Sequence, residues 1–198
     1  MTSGKLKRNF YLAATPGSGY ALHFYPPAPD QRALTGIALR VQPFGRDTAR
    51  GRLRIRVASV APAGGPADDD LLPASIVLTD SVLQAATKPF LLAWQPNRVL
   101  VPATGFFVVV EGMGDAADEY ATNSPATAKR ICSNCYTIGR RNEPNAPLRL
   151  LPARSVPKLP AAKPTLISAD YWVRGGHIAN WQRNPATSEV PLLELFFE

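Results

Sequence analysis

The feature that most constrains the fold is a stretch in which every second residue changes character. In Gly51-Arg52-Leu53-Arg54-Ile55-Arg56-Val57, arginines alternate with aliphatic residues. Successive side chains of an extended strand point to opposite faces. Leu53, Ile55 and Val57 therefore share one face, and Arg52, Arg54 and Arg56 share the other. This predicts a half-buried antiparallel strand with one wet side.

Strand-like runs recur around it at Tyr20–Tyr25, Thr35–Val41, Ala74–Thr79, Phe90–Trp94, Arg98–Val101 and Gly105–Glu111. The last, GFFVVVE, is nearly continuous in β-branched and aromatic residues, which predicts a central strand covered on both faces. Ala61–Asp70 and Met113–Lys129 read as loops and Ile131–Ile138 as a strand. The prolines of Asn142–Pro164 predict an irregular or edge segment. Leu166–Arg174 and His177–Gln182 flank Gly175-Gly176, a two-residue hairpin signal, and Val190–Phe197 closes the chain as another strand. Twenty prolines in 198 residues argue against a helical bundle, because proline costs about 3 kcal/mol inside a helix. The spacing predicts an all-β fold: one antiparallel, jelly-roll-like β-sandwich domain over 1–198.

The formal charge is +7. A basic, Pro-rich segment at about 124–163 carries that whole excess. It reads as a solvated loop, or as a landing site for an anionic polymer or lipid surface. No apolar run approaches the roughly 20 residues of a membrane span. The start, MTSGKLKRNFYLAATPGSG, is basic but has no apolar stretch after it, so it does not read as a secretory signal.

Four groups of residues are candidates for function. Cys132-Ser133-Asn134-Cys135 reads as a short disulfide, as two plain thiols, or as half a metal site. Zinc would need two more ligands, and the two histidines, His23 and His177, do not lie at finger-like spacing. No metal or other cofactor is expected. Asp68-Asp69-Asp70 could offer oxygens to Ca²⁺, but without an EF-hand pattern a solvated turn is favoured. The row Arg50, Arg52, Arg54 and Arg56 could fork onto phosphates or acidic sugars. The favoured alternative is a wet face that keeps the sheet soluble.

The fourth group is the terminal hairpin. If Arg174 pairs with His177 and Trp172 with Ala179, then Trp172, Arg174, His177 and Trp181 share one face. Such a face could grip a sugar ring or fill a core, and the core is favoured. Trp94 carries the same ambiguity. The sequence contains no GxSxG, HExxH or phosphate-cradling loop. Glu111, Asp115, Asp118 and Glu119 cluster without a visible cleft, so an enzyme is not expected.

The order GRLRIRVASV, GGPADDDLLP, SIVLTD, FLLAWQPNRVLVP and GFFVVVEGM, with Tyr171-Trp172-Val173-Arg174 and Trp181 near the end, resembles a known pattern. It is similar to the C-terminal β-sandwich of bacterial carboxypeptidase-like regulatory-domain-containing proteins. The resemblance covers Gly51–Met113 and, more loosely, the terminal hairpin. It implies an envelope-associated bacterial protein without an established activity, and it carries over no catalytic residue. The expected function is a non-enzymatic binding module with a glycan or an envelope protein as partner. An electrostatic binder of anionic polymer or lipid is the alternative, and nucleic acid is not the expected partner. The expected location is the periplasm or cell surface if a signal lies upstream, and the cytoplasm otherwise.

Overall fold

Extended segments pair in antiparallel fashion throughout. The computed structural model describes residues 4–14, 17–41, 52–79, 81–82, 90–93, 98–113, 135–138, 149–152, 158–164, 171–175, 180–184 and 190–198. In chain order their strands are β1 (Gly4–Ala13), β2 (Gly19–Phe24), β3 (Ala33–Leu39), β4 (Arg52–Val60), β5 (Pro66–Asp70), β6 (Ile76–Leu78), β7 (Phe90–Ala93) and β8 (Val99–Leu100). They continue as β9 (Phe106–Met113), β10 (Cys135–Ile138), β11 (Arg149–Pro152), β12 (Lys158–Pro164), β13 (Tyr171–Arg174), β14 (Gln182–Asn184), β15 (Val190–Pro191) and β16 (Leu193–Phe197). The fold is all-β. Among the described residues no helix is long and apolar enough to cross a membrane.

A seven-stranded sheet runs β14-β13-β2-β9-β4-β5, with β6 also paired to β4. A four-stranded sheet runs β16-β3-β7, with β8 on β3; β1-β12-β15 forms a third sheet and β10-β11 a fourth. The alternation of β4 is realised, since Leu53, Ile55 and Val57 are all fully buried. They join Leu22, Phe106 and Val108 of the large sheet and Ile37, Leu39 and Leu193 of the four-stranded sheet in one core. Burying each such side chain stabilises the fold by about 1.5–3 kcal/mol. As expected from its composition, β9 is the central strand, buried on both faces from Phe106 to Gly112.

Four expectations are corrected. Ala61–Asp70 is not simply a loop, because Pro66–Asp70 pairs with β4 despite three consecutive aspartates. Strand propensity yields here to contacts with the neighbouring strand. The basic segment is not irregular throughout, since it contains β11 and most of β12. Nor is β12 an edge, because it lies between β1 and β15, with Pro160 beside a register shift in its pairing with β1. A break in the ladder is where a residue without an N–H is tolerated.

The terminal hairpin is also wider than two residues. Trp172 pairs with Arg183, not Ala179, and the connection runs from Gly175 to Trp181. The β1 strand, which pairs with β12, was not anticipated from the sequence.

Candidate functional site

The face of the large sheet that turns away from the core is not wet. Phe107, Val109, Ala21 and Ala58 on it are fully buried and form a second apolar cluster, with Val60, Trp172 and Trp181 packed against it. The His23 ring stacks on Phe107 with centroids 4.7 Å apart, and Trp172 meets Phe107 edge-on at 6.5 Å. Two glycines let the indoles close in. A Cβ on Gly19 would come within 2.6 Å of Cη2 of Trp181, and one on Gly65 within 3.2 Å of Cζ3 of Trp172.

Strand register assembles a charged row at one end of this face. Arg174 lies opposite Gly19, Gly19 opposite Glu111, and Glu111 opposite Arg54. Arg54 donates from Nε to Glu111 Oε2 at 2.6 Å and Arg174 from a terminal nitrogen to Oε1 at 2.6 Å. Glu111 keeps 3% of its side-chain surface, whereas Arg54 keeps 36% and Arg174 24%. A carboxylate so deeply buried is tolerable only with charged partners at hand. The Arg174 guanidinium in turn lies 4.8 Å from the Trp181 ring centroid, a cation–π arrangement.

Arg56 extends the network inward. It lies 4.0 Å from Glu111 Oε1 and 3.6 Å from Asp70 Oδ2, and it donates to the backbone carbonyls of Ala67 and Asp68. Asp70 accepts from the backbone N–H groups of Val57 and Leu72 at 3.1 Å each and from the Ser75 hydroxyl at 3.0 Å. Three guanidiniums thus face two carboxylates, which leaves one positive charge in surplus. Trp172 Nε1 and Arg174 Nε are buried donors without a hydrogen-bond partner among the described residues.

These positions revise the sequence reading. The wet-face reading of the arginine row fails for Arg56, which is buried and ion-paired, while Arg54 is a partly open partner of Glu111. Arg52 is half-buried at the start of β4, opposite Met113. Trp172, Arg174 and Trp181 do come together, and both indoles are engaged in internal packing. Asp70 is a bracing residue that holds β4 and the turn after β5, not part of a solvated turn. Among the described residues no group of three His, Cys, Asp or Glu is placed to hold a metal. Cys135 begins β10, whereas Arg50, Trp94, Asp115, Asp118, Glu119, Cys132 and His177 lie outside the described residues.

The residue underrated in the sequence was Glu111. Its signal was a lone carboxylate ending an apolar strand in a chain with an arginine-bearing strand. No family model, curated protein or solved structure matches the chain.

Proposed function

We propose that the chain is a non-enzymatic binding module. Its binding face is the outer face of the large sheet around Arg54, Glu111 and Arg174, and its partner is a glycan or an envelope protein. The observation that carries this reading is the row itself. One buried carboxylate holds two partly open arginines in fixed positions across four strands. Such pinning lowers the entropy lost when a partner is gripped. Glu111 is committed to arginines and nearly closed to water, which suits a structural counter-ion better than a general base.

The reading includes a jelly-roll-like β-sandwich, supported by the core shared between the large and the four-stranded sheets. It also includes a bacterial envelope setting, supported by the resemblance over Gly51–Met113. The test is a glycan array probed with the full chain, followed by NMR shift mapping with the hits. Shifts concentrated at the Trp172 and Trp181 indole N–H groups are expected. Shifts confined to the four-stranded sheet would overturn the placement.

A second reading, an electrostatic binder of anionic polymer or lipid, is favoured by the formal charge of +7. It requires affinity that falls steeply with salt.

A further inference from the structure

Resting on the binding-module reading, we infer that Arg54 and Arg174 form a subsite for one anionic oxygen group, a carboxylate or sulfate, carried on a glycan. The surface presented there is donor-rich. The one carboxylate between the two arginines is almost sealed, so what reaches solvent belongs to the arginine side chains, not to the carboxylate. Each guanidinium has five N–H donors. Arg54 directs Nε and one terminal nitrogen at Oε2, and Arg174 directs one terminal nitrogen at Oε1. Donors therefore remain on both. Because Glu111 and the Trp181 ring already hold these side chains, an incoming anion need not order them.

The size of the charge selects the carrier. One surplus positive charge suits a single acidic group. A nucleic acid or a lipid surface is bound through many such contacts at once. Beside the row lie two half-buried indoles, Trp172 in the next same-face position along β13 and Trp181 against Arg174. A saccharide with a mostly neutral, ring-shaped body and an isolated acidic substituent matches that surface better than a polyanion does.

The test is calorimetric titration of the full chain with a neutral oligosaccharide bearing one terminal glucuronate, its methyl ester, the same oligosaccharide bearing one sulfate, and polyglutamate. The acidic saccharides should bind, with the ester about tenfold weaker or more, the loss of a charged hydrogen bond. Arg54→Gln and Arg174→Gln should each weaken the acidic ligand by a similar factor. Arg98→Gln, which removes an exposed arginine paired with Glu198, should leave it unchanged. Melting curves identify any variant that fails to fold, and the acid-to-ester comparison on the unaltered chain stands without variants. Equal binding of acid and ester would overturn the anionic subsite while leaving the binding-module reading intact. Polyglutamate binding as tightly as the uronate would overturn the glycan assignment, and failure of every acidic probe would overturn the inference.

Discussion

Arg174 reaches Glu111 across a strand that belongs to neither. The 2.6 Å ion pair spans Gly19 of β2, which lies opposite both residues. A side chain at position 19 would stand between them. Glycine here supplies the gap through which β13 and β9 are joined, and the same gap admits the Trp181 ring.

Gly19→Ala should therefore be costly. The added methyl would lie 2.6 Å from Cη2 of Trp181, so the ring must move and Arg174 with it. Overpacking of this kind costs about 1–3 kcal/mol. Chemical denaturation should show that loss, and Trp181→Leu in the same chain should recover part of it. Equal stability of Gly19→Ala and the parent would show that the gap is not required.

Glu111→Gln removes the charge on which Arg54 and Arg174 converge. A wholly buried broken pair costs roughly 3–5 kcal/mol, but both arginines keep some surface in water, so about 2–3 kcal/mol is expected. The melting temperature should fall by about 5–10 °C. Adding Arg174→Gln to Glu111→Gln should cost less than Arg174→Gln alone, and a double-mutant cycle measures the difference.

Phe107→Ala tests whether the outer face is a true second core. The ring is fully buried and packs on His23 and Trp172. Its truncation should cost about 3–5 kcal/mol, comparable to the roughly 2–5 kcal/mol expected for Ile55→Ala on the inner face. A shift of the urea midpoint near zero would mean that the face is wet.

Alkaline stability should be limited by a pair of tyrosines. Tyr20 and Tyr171 stack with ring centroids 6.5 Å apart. Burial pushes the Tyr20 phenol up to about 12. Burial, with the neighbouring Tyr20 as a second cause, pushes Tyr171 up further. Both shifts favour the neutral phenol in the folded chain. Their contribution to stability is complete below the unfolded value of about 10 and is lost as pH rises through about 12. Phenolate absorbance followed together with circular dichroism should show these two tyrosines ionising as the fold is lost. Their ionisation near pH 10 in an intact fold would contradict this.

Much of the β architecture was legible in the residues. The inward set of β4 and the double burial of β9 follow from apolar patterning, which is a local property, whereas the closing run Val190–Phe197, expected as one strand, divides into β15 on β12 and β16 on β3. The composition of β5 and β12, rich in aspartate in one and proline in the other, points away from strands. β12 is held by β1, far away in the sequence, whereas β5 is held by the neighbouring β4 and by the contacts of Asp70. The hairpin register was misplaced for a related reason. Gly175-Gly176 marks a turn but does not set its length, and the pairing of Trp172 with Arg183 is decided by the partner strand.

The sequence by itself determined which side chains share a face, because alternation along an extended chain needs no partner. It put Arg54 and Arg56 together, and Trp172 with Arg174. Only the tertiary structure decided that these pairs lie on the same face of one sheet, with Glu111 between Arg54 and Arg174 and Gly19 as the opening. That choice is made by strand order and register, which join residues as far apart in the chain as Gly19 and Arg174 and so cannot be read from any local window.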